Sequence, residues 1–307
     1  MHSQQRTAYI LLTLTSLFWA GNFVLARAVH ESVPPVGLAF WRWFAVAVII
    51  VPWAWSELRE QWPLMRAHPW LMIVYGVFSV GAFNTLMYIG LQTTSAVSAL
   101  LLISSAPVFI LLFAPLMLGS RLSAYQALGV LVSALGVLLV LTHGDLSVLE
   151  GFGHNVGVLW ALAGVISWAF YSVLLHRLPK GIGGQGFFAM TVIVGVIAIL
   201  PFYLIETFVQ ERPVEFGSTL LLTVAYIAFF ASILAYTFWN KGVSLIGAER
   251  AGAFIHLMPA FGLVLSAMLL GEQITSFDLG GLALIVAGLL VAAGKMRFVS
   301  RDSGSST

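Results

Sequence analysis

Leu118-Gly119-Ser120-Arg121-Leu122 and Leu270-Gly271-Glu272-Gln273-Ile274 are the two stretches on which the fold turns. They stand 152 residues apart, and each runs into an apolar segment with two glycines seven apart, Gly129 and Gly136 after the first, Gly281 and Gly288 after the second. The same offset carries Gly90 onto Gly242, Ala96 onto Ala248, Ala99 onto Ala251 and Pro107 onto Pro259. An offset of 149 carries Trp19 onto Trp168 and Asn22 onto Tyr171. Leu/Gly/Ala-rich segments align by chance, but landmarks in four segments at nearly one offset point to an internal duplication.

The segments around these landmarks are built for lipid. Of 307 residues, 60% are hydrophobic and 8% charged, against about 25% charged in a soluble domain. Mean hydropathy is +0.99. That leaves too little polar surface for a water-soluble globule. A net charge of +2 is no nucleic-acid surface, and the absence of cysteine excludes disulfides and thiolate metal sites. Ten apolar runs are long enough to span a bilayer: Thr7–Ala28, Pro34–Trp55, Pro69–Gly90, Ser95–Leu118, Ser123–Thr142, Val156–His176, Gln185–Ile205, Ser218–Asn240, Ala248–Leu270 and Phe277–Lys295. The first run exceeds the core of a cleaved signal peptide and reads as a retained span.

Lys and Arg orient the chain. With the N-terminus inside, Arg6, Arg59, Arg66, Arg121, Arg177, Lys180, Lys241, Arg250, Lys295, Arg297 and Arg301 fall inside, only Arg27 and Arg212 outside, and Arg42 within a span. The expected fold is therefore an all-α polytopic membrane protein of ten helices with both termini cytoplasmic. Residues 1–142 form a first five-helix repeat, 143–155 an outer linker, 156–295 a second repeat and 296–307 a cytoplasmic tail. Five is odd, so the copies sit upside down relative to one another, an arrangement typical of secondary transporters.

Phe18-Trp19-Ala20-Gly21-Asn22, Arg42, Tyr88-Ile89-Gly90-Leu91 running into Thr93-Thr94-Ser95-Ala96, and the two Leu-Gly hinges together resemble an EamA-type member of the drug/metabolite transporter superfamily. The resemblance covers nearly the whole chain and, by aromatic content, is nearest to YddG-like aromatic amino-acid exporters. It implies a carrier in a bacterial inner membrane that exports amino acids by alternating access. One departure stands out: the family often has an acid after Leu-Gly in both halves, whereas here the first half has Ser120 and only the second has Glu272.

Four helices repeat one local design, an i, i+3, i+4 face mixing aromatic and hydrogen-bonding groups. These are Trp19, Asn22 and Phe23; Trp168, Tyr171 and Ser172; Asn84, Met87 and Tyr88; and Tyr236, Trp239 and Asn240. An amide facing lipid is costly, so Asn22, Asn84 and Asn240 are expected to face the bundle. Converging, the four faces make a substrate cavity; the alternative is that they merely pack helices. Mid-span Pro107 and Pro259 are expected to break their helices and to serve as hinges, with Ser105 and His256 beside them as substrate contacts. Arg42, between Trp41 and Trp43, either receives a substrate carboxylate, or snorkels outward, or ties down free carbonyls of a neighbouring helix. The glycine stripes of the fifth and tenth helices serve packing within the bundle or a homodimer.

All 12 acids map to loops or helix ends, so no mid-membrane carboxylate serves a coupling ion or a cationic drug. The expected activity is facilitated export of neutral aromatic or hydrophobic amino acids, without cofactor or metal. The alternative is a carrier for a sugar, nucleoside or drug-like solute, coupled to protons through His256. An intramembrane enzyme would need paired catalytic groups, and no HExxH or intramembrane Asp pair is present. A channel would want a selectivity filter, and a receptor sizeable loops.

Overall fold

The computed structural model describes residues 2–119, 123–145, 156–246 and 253–293, which contain helices and no strand. We number the helices α1 (His2–Ala28), α2 (Pro35–Trp53), α3 (Trp55–Ala67), α4 (Pro69–Gly90), α5 (Ala96–Leu118), α6 (Ala124–Thr142), α7 (Val156–Arg177), α8 (Gly184–Val209), α9 (Ser218–Ile246), α10 (Leu257–Leu270) and α11 (Ser276–Ala293). Seven of these, α1, α2, α4, α5, α7, α8 and α9, are long and apolar enough to cross a membrane. Shorter apolar segments, Ala124–Leu139, Leu257–Leu270 and Ser276–Gly288, lie in α6, α10 and α11. Residues 120–122, most of the expected linker and the whole expected tail lie outside the described residues.

The Leu-Gly hinges have a backbone cause. Gly119 and Gly271 stand just past the ends of α5 and α10 with φ of +68° and +65°. A left-handed residue there stops a helix, and glycine adopts it without a Cβ clash. Serines start the helices that follow the turns. Ser95 Oγ accepts from the Ser98 amide at the head of α5, and Ser123 makes a reciprocal capping box with Gln126 at the head of α6.

Glycines also set the closest helix contacts. α6 and α11 run antiparallel, and a Cβ on Gly288 would lie 2.5 Å from the Gly129 carbonyl oxygen and 2.2 Å from Ser133 Oγ. Ser133 donates to the Ile285 carbonyl across the same seam (3.1 Å). The glycine stripes are thus spent inside the chain. α4 meets α7 with Gly90 against Gly157, whose mutual Cβ-to-carbonyl distances would be 2.6 and 2.4 Å. α9 meets α1 with Gly242 against Leu12.

α5 breaks where Pro107 led one to expect. It is helical over Ala96–Ile103 and again over Ala106–Leu118, with turn bonds from Ser104 N–H to the Leu101 carbonyl and from Ser105 N–H to the Leu102 carbonyl between them. Pro107 lies in the first turn of the second half, where its missing N–H costs no hydrogen bond. Pro259 likewise lies in the first turn of α10, after a 3-10 turn over Ala253–His256. Wide π-helical turns interrupt α4 at Val77–Ala82 and α9 at Ile227–Leu234.

Two features depart from the sequence reading. Residues 56–67, expected as a loop, belong to α3, which buries Leu58 and Met65 and leaves its other face open. Glu206, one of the acids expected at loops or helix ends, does lie at a helix end but is buried there, 3% exposed. It lies in the π-helical last turn of α8 and accepts from the amides of Val36 (3.2 Å) and Gly37 (2.7 Å) at the head of α2. A carboxylate is well placed there because the N-terminal amides of a helix lack partners of their own and carry partial positive charge.

Candidate functional site

A cavity of about 180 Å³ opens among α1, α2, α4, α5, α7, α9 and the turn before α10. Trp19, Asn22 and Phe23 reach it from α1, Phe83 and Asn84 from α4, and Tyr236 and Trp239 from α9. Arg42, Ile103, Trp168, Ile255 and Met258 complete the wall. Its surface is mainly aromatic, with polar groups gathered at one place.

That place is Arg42, 3% exposed. Its Nη1 donates to Asn84 Oδ1 (2.7 Å), to Tyr88 Oη (2.7 Å) and to Asn22 Oδ1 (3.3 Å). Nε and Nη2 both donate to Ser232 Oγ (3.2 and 3.1 Å). Tyr88 in turn donates to Asn22 Oδ1 (2.6 Å). The guanidinium lies over the Trp43 ring, 4.6 Å from its centroid. Every acceptor is neutral: among the described residues no carboxylate comes within ion-pair distance of Arg42. Guanidinium has five N–H groups, and the second of Nη2 finds no acceptor among those residues.

The backbone prepares these partners. In the π turn of α9, Ser232 Oγ donates five residues back to the Ile227 carbonyl, and the carbonyl of Ala231 accepts from Trp19 Nε1 (3.1 Å). π turns expose such groups and are frequent at functional positions.

Two ring clusters flank the arginine. Trp19 contacts Trp239 (5.6 Å between centroids) and Tyr236 (6.0 Å). Trp168 contacts Phe83 (5.0 Å) and Tyr171 (5.3 Å). Trp19 and Trp168 are the pair related by the offset of 149.

Of the residues singled out from sequence, Trp19, Asn22, Asn84, Trp168, Tyr236, Trp239 and Arg42 come together on the cavity wall. Tyr88 stands behind it in the Arg42 network, and Tyr171 packs between Trp168 and Tyr75. Ser105 is fully buried and donates to the Leu102 carbonyl, so it satisfies the break in α5 and does not face the cavity. Asn240 departs from expectation: it is exposed and off the wall, because one step along α9 from Trp239 turns it away from α1. The side chain of His256 lies outside the described residues. Ser232, Phe83, Ile103, Ile255 and Met258 were missed. None falls on the i, i+3, i+4 faces, and only the irregular turns bring Ser232 and Ile255 to the site.

Comparison with known proteins agrees with this architecture. The chain is 29% identical over 293 residues to the uncharacterized transporter YyaM of Bacillus subtilis, covering 94% of each. It is 28% identical over 306 residues to a probable amino-acid metabolite efflux pump of Salmonella typhimurium, covering 96% of this chain and 98% of that one. A pump of the same description from Escherichia coli K12 is 25% identical over 299 residues. A solved crystal structure shares the fold with a TM-score of 0.58 at 21% identity, over 96% of this chain and 99% of the other. The model of the EamA-like transporter family matches residues 6–142 and again residues 155–294. Matched twice over most of its length, with helices apolar enough to cross a membrane many times, the chain belongs to the EamA-like transporter family.

Proposed function

We propose that this transporter exports neutral aromatic or hydrophobic amino acids across a bacterial inner membrane by facilitated alternating access. The observation that carries the reading is Arg42, a buried cation with neutral partners only, set in an aromatic cavity. A buried charge without a counter-ion is costly, and a solute carboxylate supplies the missing anion by accepting the spare N–H of Nη2. The rings of Trp19, Trp168, Tyr236 and Trp239 then offer faces to an apolar side chain, and to the ammonium group by cation–π attraction. Two relatives described as amino-acid metabolite efflux pumps agree with this class.

The proposed architecture is ten spans in two inverted repeats with both ends cytoplasmic. Three observations support it. The family model matches each half. The α4–α7 glycine contact at Gly90 has a counterpart in the α9–α1 contact at Gly242, at the 152-residue offset. The third is a pair of carboxylate caps at opposite ends of α2 and α8. Glu206 binds the Gly37 amide, and Glu57 binds the Gly186 amide (3.0 Å). Both members of the second contact are related to those of the first by 149 residues, so each half caps the other in the same way at opposite membrane faces.

Glu272 fits the same scheme. It accepts from the amides of Ala96 (2.9 Å) and Val97 (3.1 Å) at the head of α5 and approaches Arg27 (3.9 Å). Arg27 meanwhile donates to the carbonyls of Leu91 and Gln92. The acid kept in only one half thus seals the outer ends of α1, α4 and α5.

The test is radiolabelled phenylalanine or tryptophan flux in proteoliposomes, with and without an imposed proton gradient. Saturable flux without the gradient is expected. Absence of flux from protein shown to be folded overturns the amino-acid reading, and flux only with the gradient overturns the facilitative one.

A further inference from the structure

We propose that the outward face of α3 is a binding site for the phosphate headgroup of an anionic phospholipid, held by Arg59 and Arg66, which alternate with Trp55 and Trp62 along the helix. At 100° per residue these four residues share one narrow stripe, about 60° wide. All four are exposed, the tryptophans by 57% and 50%. Neither arginine has a hydrogen bond or ion pair among the described residues. Glu60 lies about 100° round the helix from Arg59 and leaves the stripe basic.

The other face of α3 fixes which way the stripe points. Leu58 and Met65 are buried, Glu57 accepts from the Gly186 amide, and Gln61 Oε1 accepts from the Gly183 amide (3.0 Å). Two bonds to the head of α8 and two buried side chains prevent the helix from rolling.

A bilayer headgroup is the occupant that suits this position. α3 joins the end of α2 to the start of α4, two helices long and apolar enough to cross the membrane, so it sits where both enter the bilayer. Trp53 and Trp70, at those two entries, are 57% and 78% exposed. Four exposed indoles on α3 and at the two helix ends it joins match the composition of the interfacial belt of membrane proteins, and two unpaired guanidiniums among them complement an anionic leaflet. The site rests on the membrane-spanning reading of α2 and α4 and not on the identity of the solute.

The full-length protein in detergent is offered equimolar phosphatidylglycerol and phosphatidylcholine with the same acyl chains, and bound lipid is counted by native mass spectrometry. Phosphatidylglycerol is expected to be preferred by about fivefold per arginine. Arg59→Gln with Arg66→Gln is expected to lose that preference, and the double lysine variant to keep most of it. Equal retention of the two lipids, or an unchanged preference in the double glutamine variant, overturns the site. Displacement of the lipid by millimolar inorganic phosphate assigns a soluble anion instead and also overturns it. Both arginines are exposed and remote from the cavity, so thermal unfolding and amino-acid flux of the same variants report separately on folding and on transport.

Discussion

At the scale of single residues, the proposed function makes Arg42 the group that selects the solute. Its partners are three side-chain oxygens from α1 and α4 and one hydroxyl from a π turn of α9, all neutral. A purely structural arginine would leave solute charge irrelevant, whereas a carboxylate-binding one makes the solute's anion obligatory. The prediction is a specificity change. Wild type should transport phenylalanine at least about tenfold better than phenylalanine amide, since a site built to bind one polar group rejects a solute lacking it. Arg42→Gln should lose phenylalanine flux and, with it, that discrimination. Competition flux assays in proteoliposomes with the two solutes measure both. Undiminished discrimination in Arg42→Gln would return the residue to a structural role.

At the scale of helices, close approach through glycine does the work that side-chain burial does in a soluble core. Lipid tails are as apolar as leucine, so the drive to associate comes from packing at short range and from hydrogen bonds between helices. The α6–α11 seam shows both, in the glycine contacts and in the Ser133 bond to the Ile285 carbonyl. Gly288→Ala places a methyl group 2.5 Å from the Gly129 carbonyl oxygen, so the helices must separate. The expected cost is about 1–3 kcal/mol, read as a lowered thermal unfolding midpoint in detergent. Gly217→Ala, where a Cβ meets nothing within 4 Å, should leave the midpoint nearly unchanged and serves as the control. The helix ends follow a second rule. Carboxylates from distant segments, Glu57, Glu206 and Glu272, supply acceptors to the free amides of α8, α2 and α5. This explains why Glu206 can be buried with no arginine at ion-pair distance among the described residues: the amides at a helix start are its counter-charge.

At the scale of the molecule, the proposed ten-span topology makes a direct prediction, aided by the absence of native cysteine. Glu31 and Glu215 are exposed at one end of the bundle, and Ser56 and Lys180 at the other. In intact cells, Glu31→Cys and Glu215→Cys should react with a membrane-impermeant maleimide. Ser56→Cys and Lys180→Cys should react only after permeabilisation. Labelling of all four from outside, or the reverse sidedness, would refute the orientation drawn from Lys and Arg.

Read alone, the sequence determined the class and most of the helices. Lipid as solvent demands long apolar runs, and such runs are visible without knowing their partners. It also determined the helix breaks and ends: Gly119, Gly271, Pro107 and Pro259 act through local backbone conformation. Helical periodicity brought Trp19, Asn22, Asn84, Trp168, Tyr236 and Trp239 within reach of a correct grouping. Tertiary structure decided what depends on partners far along the chain. Periodicity put Asn240 with Trp239, but only the packing of α9 on α1 shows which of two adjacent residues faces in. Glu206 reads as a loop acid until the head of α2 is seen beside it, and Ser232 has no local signal because a π turn shifts the register by one residue. Whether Arg42 is paired is likewise a question of three-dimensional neighbours. An amphipathic segment such as α3 carries no span signal in the sequence, because its 13 residues fall short of the roughly 20 apolar residues that mark a span.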